Sequence, residues 1–339
     1  MDDRPSGGTR RPTMVDVAER VGVSRALVSL VFRNKEGASR ATRERVFQAA
    51  AELGYRPDIA AQLLRSRRSR HVGALYVPTE PFHADMIDAL YPVAEKNGYD
   101  VVLGALTQTR DVTKATEELL GFRCEAVLLI GVDATLGQLT ALAAKVPIVA
   151  VGPHQHGPQF DTVRSDDTRG ARQAVDHLVA LGHRRIAHID GGQGPAAADR
   201  RRGYRNAMRK HGLAADIHVI QGDYTEESGA LAAQELFRRD RPPTAVFAAN
   251  DRCAVGLMHA LRRMGVTVPG DISIVGFDGS HAAQLPHIDL TTVRQDIAGT
   301  VEAAILTALE RLDDERTEAK QVVLKTQLVV RRTTAPPAS

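Results

Sequence analysis

The 339-residue sequence has few features of exported or membrane proteins. Its two cysteines, Cys124 and Cys253, are too few and too far apart for a disulfide framework or a metal motif, which fits a reducing cytoplasm. No apolar run approaches the ~18 residues that span a bilayer, and residues 1–12 contain no apolar signal segment. We therefore expect a cytoplasmic protein with no membrane partner and with both thiols buried.

Motifs of common enzyme chemistry are also missing. No HExxH or GxSxG stretch occurs, and His154 and His156 have no third ligand at a metal spacing. The stretch DGGQGPAAADR resembles a dinucleotide fingerprint, but Pro195 removes a backbone donor, and the next strand ends at Asp223, about thirty residues on instead of ~20. An NAD-dependent enzyme is therefore a disfavoured alternative, and we expect no catalytic residue, metal or cofactor.

Positive charge is concentrated at the start of the chain. Residues 1–70 contain 15 Lys and Arg against 8 Asp and Glu, a net charge of +7, whereas the remainder has 29 against 33, a net charge of −4. A basic head on a mildly acidic body indicates that a polyanion binds the head. The length of the chain favours more than one domain.

Local signals in the head predict a helical hairpin. Thr13 and Asp16 have the spacing of a capping box, which predicts a helix that Gly22 ends. Ser24 is the expected N-cap of a second helix from about Arg25 to Phe32. The two helices are thus separated by a three-residue turn.

A third helix is predicted between Ser39, its N-cap, and Gly54, its left-handed end. Three helices can share one small core, and in a helix-turn-helix the second helix enters the DNA major groove. Arg25 stands where a guanidinium could reach guanine. A purely structural hairpin remains the alternative.

Residues 55–70, YRPDIAAQLLRSRRSR, predict a conditional helix. A short amphipathic patch from Asp58 to Leu64 follows Pro57 and precedes four arginines. Eight or so residues are too few to stay helical alone in water. The segment should therefore order only when a partner holds it.

From His71 onward, eight strand-like runs alternate with helical stretches. This alternation predicts parallel sheets with helices on both faces. The polar, Gly- and Pro-rich stretch at residues 152–167 separates two groups of runs. We expect two lobes.

The sequence resembles the lac/gal repressor family of bacterial transcription regulators from Thr13 to about Thr334. The most specific stretches are VDVAERVGVS, TRERVFQAAAELGYRP, HLVALGHRRIAHI, FAANDRCAVGLMHAL, DISIVGFD and LTTVRQD. The resemblance implies a small all-α helix-turn-helix DNA-binding domain followed by an α/β, two-lobed, periplasmic-binding-protein-like effector domain. It also implies a homodimer on a roughly palindromic double-stranded DNA operator, in the nucleoid-associated fraction of the cytoplasm.

The sequence is expected to divide into five segments. They are a disordered tail at 1–12, a head at 13–57, a hinge helix and linker at 58–70, an effector-binding and dimerisation domain at 71–334, and a tail at 335–339. The expected first lobe is 71–162 and 293–318, and the second is 163–292 and 319–334. The run QVVLKTQLVVRR would be one strand of the second lobe.

The resemblance also implies which residues contact DNA. Leu64 stands at the position that wedges a base step in the minor groove, with Arg65 beside it. Leu30 replaces the family's usual arginine, which shifts base reading to Arg25 and Ala26. The predicted DNA-binding residues are Thr13, Ser24, Arg25, Ala26, Ser29, Arg33, Asn34, Leu64 and Arg65.

Effector-binding candidates follow strand ends, where ligands bind in open parallel sheets. They are Phe82, Arg200, Asn250 and Asp278, with Gln295 on a predicted crossing between the lobes and Tyr224 as a second ring. Asp251 closes the same strand as Asn250 and could instead be a helix cap. The resemblance matches Arg200, Tyr224, Asn250, Asp278 and Gln295 to the family's effector-binding positions. Arg, Asn and Asp can satisfy ligand hydroxyls, and the two aromatic rings could stack on a sugar-like ring. Ordinary alternatives exist: Asn250 as a helix cap, Asp278 as a turn residue, and Arg200 as a surface residue. Gly152 stands where many family members have a ligand-binding acid.

The combined prediction is a transcription regulator, and more specifically a repressor controlled by a small-molecule effector. A solute-binding protein is the alternative, but it would have no use for residues 13–70. The sequence leaves open whether the effector releases DNA or strengthens binding. A dimer is simpler than a tetramer because no long heptad tail follows Arg332.

Overall fold

The computed structural model describes residues 12–32, 35–56, 68–152, 157–238, 241–313 and 316–338. The chain divides into two compact units, Met1–Ser69 and Arg70–Ser339. Several predictions fall outside the described residues: the disordered tail at 1–12 up to residue 11, the hinge helix and linker at 58–70 up to residue 67, and the roles of Arg33, Asn34, Leu64 and Arg65.

The helices of the first unit lie at the predicted positions: α1 (Met14–Val21), α2 (Arg25–Phe32) and α3 (Arg40–Leu53). Thr13 and Asp16 form the reciprocal capping box. Gly22 and Gly54 end α1 and α3 in the left-handed region, with φ of 74° and 66°. Glycine adopts this conformation without the steric cost that a Cβ brings.

One small core joins these helices. Its fully buried members are Val17, Ala18, Val21, Val28, Val31, Val46, Ala49 and Ala50. Phe32 extends it with edge-on contacts to Phe47 and Tyr55, each with ring centroids 5.5 Å apart. The predicted three-helix unit with a shared core is therefore confirmed.

The second unit begins with alternating strands and helices: β1 (His71–Tyr76), α4 (Pro81–Lys96), β2 (Asp100–Ala105), α5 (Val112–Gly121), β3 (Ala126–Ile130), α6 (Leu136–Ala143), β4 (Ile148–Val151) and β5 (Asp161–Ser165). The next elements are α7 (Asp167–Ala180), β6 (Ile186–Ile189), α8 (Ala197–Lys210), β7 (His218–Ile220), α9 (Glu226–Leu236), β8 (Ala245–Ala248), α10 (Asp251–Arg263), β9 (Ser273–Asp278) and β10 (Thr291–Arg294). The last are α11 (Ile297–Leu312), β11 (Gln321–Leu324) and β12 (Gln327–Val329).

These strands form two six-stranded sheets, which confirms the two-lobed α/β prediction. The first has the order β11-β5-β4-β3-β1-β2 and is parallel throughout. The second has the order β12-β10-β9-β8-β6-β7 and is parallel except for β12. Apolar clusters cover both faces of each sheet, as expected for parallel strands with helical connections.

The chain crosses between sheets at different places from those predicted. Residues 163–165 stay in the first sheet, and residues 293–294 stay in the second. The prediction of one final strand in the second lobe is wrong, because β11 pairs with β5 and β12 pairs with β10. The run contains two apolar stretches, VVL and LVV, separated by the polar residues 325–327, and each half completes the edge of a different sheet. Buried Thr326 lies at this crossing and donates to Gln173 at 3.1 Å.

The expected tail at 335–339 is hydrogen-bonded to the rest of the second unit at its first residue. The Ala335 carbonyl accepts from His183 Nε2 at 2.9 Å, and the Ala335 amide donates to Ser273 Oγ at 3.0 Å. The prediction rested on composition, which does not register side chains that bind the tail from distant segments.

Candidate effector site and DNA-binding head

A cavity of about 360 Å³ is lined by residues that follow strand ends of both sheets. This volume is within the range of small-molecule sites. The structure brings all six predicted effector residues to it: Phe82, Arg200, Tyr224, Asn250, Asp278 and Gln295. Gly152 also lines it.

Arg200 is buried at the centre of the cavity wall and is not a surface residue. Its Nε donates to Asp167 Oδ1 at 2.9 Å, and a terminal nitrogen lies 3.3 Å from Asp278 Oδ1. A further nitrogen donates to the Ala249 carbonyl at 2.5 Å. The guanidinium stacks 3.7 Å from the centroid of Phe277. Arg200 is therefore fixed by partners from three separate segments.

Gln295 links this ion-pair cluster to the crossings between the lobes. Its Nε2 donates to Asp278 Oδ1 at 2.7 Å, and its Oε1 accepts from Ser165 Oγ at 2.6 Å. Ser165 ends β5 and Gln295 follows β10, so the hydrogen bonds join two crossings to the cavity wall.

Burial shifts the protonation equilibria of this cluster. Burial raises the pKa of Asp167 and of Asp278, against the charge of Arg200. Burial alone would lower the pKa of Arg200, but Tyr224 and the two carboxylates raise it above its usual range. Burial also raises the pKa of neighbouring Asp251 to about 6.

Asp251, next to Asn250 in the sequence, is held by hydrogen bonds from two other segments of the second lobe. Its Oδ2 accepts from Ser280 N at 2.7 Å and Oγ at 2.9 Å, and its Oδ1 accepts from Thr292 Oγ1 at 2.5 Å. The sequence indicated Asp251 only as a strand-end group or a helix cap beside Asn250. It did not reveal these partners, because they lie 29 and 41 residues away.

Tyr224 and Asn250 are positioned by local backbone geometry. Tyr224 has φ of 71°, its hydroxyl donates to the Pro195 carbonyl at 2.7 Å, and its ring occupies the space that a Cβ on Gly191 would need. Asn250 Oδ1 accepts from Cys253 N at 2.8 Å. Asn250 is thus both the N-cap of α10 and part of the cavity wall, so the predicted helix-cap role and the predicted position in the binding site are compatible.

The first lobe contributes polar groups that sequence reasoning missed. His83 Nδ1 accepts from Val77 N at 3.4 Å, and burial lowers the pKa of His83 to about 4. The neutral ring therefore has its proton on Nε2. Arg164 also lines the cavity, and its buried Nε has no hydrogen-bond partner among the described residues. No motif surrounds either residue, although His83 directly follows Phe82.

The two lobes touch at the edge of the cavity through Arg252. Its Nε donates to Glu226 Oε2 at 2.5 Å, and a terminal nitrogen donates to the Thr79 carbonyl at 3.0 Å. The same guanidinium lies 3.7 Å from Glu80 Oε2. Burial raises the pKa of Glu80, and Arg252 opposes this shift.

In the first unit, five predicted DNA-contacting residues lie on the helix-turn-helix: Thr13, Ser24, Arg25, Ala26 and Ser29. Ser24 Oγ accepts from Leu27 N at 3.2 Å at the start of α2. Arg25 and Ala26 are exposed in the first turn of α2, and Ser29 is half-buried. The first turn of this helix can therefore contact another molecule.

Among the residues that the structure describes, no helix is long and apolar enough to cross a membrane. Nor does the described part of the chain contain three or more His, Cys, Asp or Glu side chains grouped to hold a metal ion. His154 and His156 lie outside it. Cys124 and Cys253 are buried and free, as predicted.

A helix-turn-helix unit followed in sequence by a two-lobed α/β unit with a cavity defines a class: DNA-binding regulators with their own ligand-binding domain. Residues 13–58 match the lacI family of bacterial regulatory proteins, and residues 175–334 match a periplasmic binding protein-like domain.

Individual relatives extend this match over nearly the whole chain. The transcriptional regulator CelR of Thermobifida fusca is 36% identical, covering 95% of this chain and 98% of CelR. A structure of the CelR–cellobiose complex has a TM-score of 0.68 with 32% identity, covering 95% and 100%. The lac repressor dimer bound to operator and the anti-inducer ONPF has a TM-score of 0.81 with 28% identity, covering 96% and 100%. The chain belongs to the lacI family and is a DNA-binding transcription regulator.

Proposed function

We propose that this regulator is a homodimeric repressor whose affinity for a roughly palindromic DNA operator is set by a sugar or related metabolite. The effector binds in the cavity between the lobes. The observation that carries the proposal is the convergence of all six candidate side chains on one cavity around buried Arg200. The protein would act on the chromosome in the cytoplasm, without catalysing a reaction.

The chemistry of the wall supports a polyhydroxylated effector. Carboxylates of Asp167 and Asp278 accept hydrogen bonds from hydroxyls, and the Phe82 and Tyr224 rings offer apolar faces for a sugar ring. The relative CelR forms a complex with cellobiose. The glycine-rich stretch that resembles a dinucleotide fingerprint packs against the Tyr224 ring, which argues against a nucleotide there.

A coupling route follows from the hydrogen bonds at the crossings. A ligand that contacts Asp278 or Gln295 also acts on Ser165, and thereby on the relative closure of the lobes. A coupling free energy of ~1–3 kcal/mol corresponds to a 5- to 150-fold change in operator affinity. Both induction and corepression fit this linkage.

On the DNA side, we assign base reading to the exposed first turn of α2. Arg25 can form a bidentate pair with guanine, and Ala26 can contact a thymine methyl group. Leu64 is assigned the wedge at a minor-groove base step, with Arg65 beside it. We assign contacts with the DNA sugar-phosphate backbone to Thr13, Ser24, Ser29, Arg33 and Asn34.

The test uses the full-length chain. Binding sites are selected from random double-stranded DNA, and affinity for the selected site is measured with and without sugars. We expect a two-fold symmetric site whose affinity a sugar changes at least about fivefold. Arg25→Ala should lose preference for the selected site, whereas exposed Arg172→Ala in the second unit should keep it. Failure to select any sequence would refute the operator assignment.

A further inference from the structure

Arg164, on β5 of the first lobe, is a cavity arginine with few protein partners. One terminal nitrogen donates to the Ser165 carbonyl at 3.2 Å. Its Nε is buried and has no hydrogen-bond partner among the described residues. Asp167, which begins the next helix, gives its ion pair to Arg200 instead. A buried N–H without an acceptor is unfavourable, so Arg164 has donors to offer a bound molecule.

The space beside Arg164 contains backbone rather than side chains. β4 and β5 pair Val151 with Val163, so Gly152 is the residue opposite Arg164, and its amide donates to the Val163 carbonyl at 2.9 Å. Among the described residues, a Cβ on Gly152 would have only Gly131 within 4 Å, with Cα at 3.9 Å and N at 4.0 Å. Both glycines line the cavity. A ligand can therefore approach the guanidinium over the two glycines.

His83 adds a second donor to this wall of the first lobe. Its Nδ1 accepts from Val77 N, so the proton of the neutral ring is on Nε2, for which no described residue is an acceptor. This Nε2 lies against Gly131, where it occupies the space that a Cβ would need. The wall beyond β3, β4 and β5 thus presents N–H groups of Arg164 and His83 around two glycines.

The charges of the cavity leave Arg164 without a counter-ion. The acidic residues of the described lining are Glu80, Asp133, Asp167, Asp223 and Asp278. Arg200 pairs with two of these acids in the second lobe, and Arg252 pairs with Glu80 and Glu226 at the cavity edge. The other two lining acids are exposed, so water and salt screen their charges. Arg164 is the unpaired arginine of the described lining, and the acids nearby favour a singly charged ligand over a doubly charged one.

We propose that Arg164 binds a carboxylate of the effector, and that the effector is a sugar acid whose carboxylate faces the first lobe. A guanidinium forms paired, charge-assisted hydrogen bonds with the two oxygens of a carboxylate. Such a pair supplies the acceptor that the buried Nε lacks, and His83 Nε2 is a further donor on the same wall. The inference rests on the proposed effector-controlled function and narrows the ligand class to acidic sugar derivatives.

The experiment compares sugar acids with their neutral parents on the full-length protein. The acids are D-gluconate, D-galactonate, D-glucuronate, D-galacturonate and cellobionate. The neutral parents are D-glucose, D-galactose and cellobiose, and the 6-phosphates of glucose and galactose are the doubly charged probes. Thermal shift identifies binders and calorimetry gives Kd. We expect at least one acid to bind at least about tenfold more tightly than its neutral parent and the corresponding phosphate.

The variant Arg164→Gln removes the charge and the buried Nε donor. It should weaken the sugar acid at least about tenfold and leave the Kd of any neutral sugar within about threefold. Arg169→Gln is the matched control, because Arg169 is exposed on α7 and does not line the cavity. It should leave both values of Kd within about twofold.

Neutral sugars that bind the native protein as tightly as the matched acids would overturn the inference, and this comparison needs no folded variant. Equal affinity of Arg164→Gln and the native protein for the acid would overturn it too. Tightest binding by a 6-phosphate would contradict the carboxylate assignment. In each case the proposed function stands if the ligand that binds still changes operator affinity. If operator binding is normal and none of the probes binds, the sugar-related effector and this inference both fail.

Discussion

At the scale of single residues, Arg200 shows how a binding residue can also stabilise the fold. Its charge offsets two buried carboxylates, and its plane packs on Phe277. A buried ion pair adds little relative to apolar packing, but breaking one side of it leaves an uncompensated charge. Function and stability are therefore not separable at this position.

Arg200→Ala should lower the free energy of unfolding of the second unit by about 3–5 kcal/mol, because Asp167 and Asp278 lose their counter-ion. The effector response should disappear while the head still binds DNA. Urea denaturation and DNA anisotropy measure these outcomes. Exposed Arg209→Ala, on the same helix α8, removes only a hydrogen bond to the exposed Asn206 and should cost under about 1 kcal/mol. A similarly small loss for Arg200→Ala, with the effector response retained, would contradict the assignment.

His188 makes the second unit sensitive to acid. Its ring stacks on Phe247 with centroids 4.7 Å apart, and burial lowers the pKa of His188 to about 4. The folded pKa lies below the unfolded value of 6.5, so protonation favours the unfolded state, and stability falls as pH drops from ~6.5 towards 4. The full effect is about 3 kcal/mol.

His188→Phe keeps the stacked ring and removes this titration. Urea unfolding at pH 7.5 and 4.5 should show a loss of stability on acidification that is smaller in the variant by ~2–3 kcal/mol. His83 and other groups contribute to the remaining loss in both proteins. An identical acid-induced loss in the two proteins would exclude His188 as a source.

At the scale of elements, the turns of the head depend on left-handed glycines. A Cβ on Gly22 would have no atom within 4 Å, so Gly22→Ala tests backbone strain without a clash. It should lower the stability of the head by ~1–2 kcal/mol, since an L-residue is disfavoured at φ of 74°. Gly137→Ala, in α6 with equally open space, should instead stabilise the second unit by ~0.5–1 kcal/mol. Thermal melts of both variants give the signs, and equal signs would contradict this explanation.

At the scale of the whole molecule, the two compact units predict separable functions. A fragment beginning at His71 contains both sheets and their cores. It should fold cooperatively, keep the thermal shift caused by any sugar that binds the full chain, and lose operator affinity by at least about a thousandfold, to the level of non-specific binding. Circular dichroism, thermal shift and anisotropy test the three parts. Operator binding by the fragment equal to that of the full chain would refute the role of the head.

The sequence by itself determined the head and the general plan of the body. The predicted helix limits of the head agreed with the structure, because helix caps and helix ends depend on atoms within a few residues of one another. The caps are Thr13, Ser24 and Ser39, and the ends are Gly22 and Gly54. Strand-like runs predicted parallel sheets, and the carboxyl ends of parallel strands converge. This convergence, together with the family resemblance, predicted that six widely separated residues line one site.

Only the tertiary structure decided how charges are paired and which sheet receives each strand. The partners of Asp167 and Asp251 could not be predicted, because they come from segments 33 and 29 residues away that only the fold brings together. Residues 321–332 were predicted to form one strand, since two apolar stretches separated by three residues have the same pattern whether or not the chain crosses between sheets there. Local sequence fixes what a segment can form, whereas the partner of a buried charge or an edge strand depends on where the rest of the chain folds.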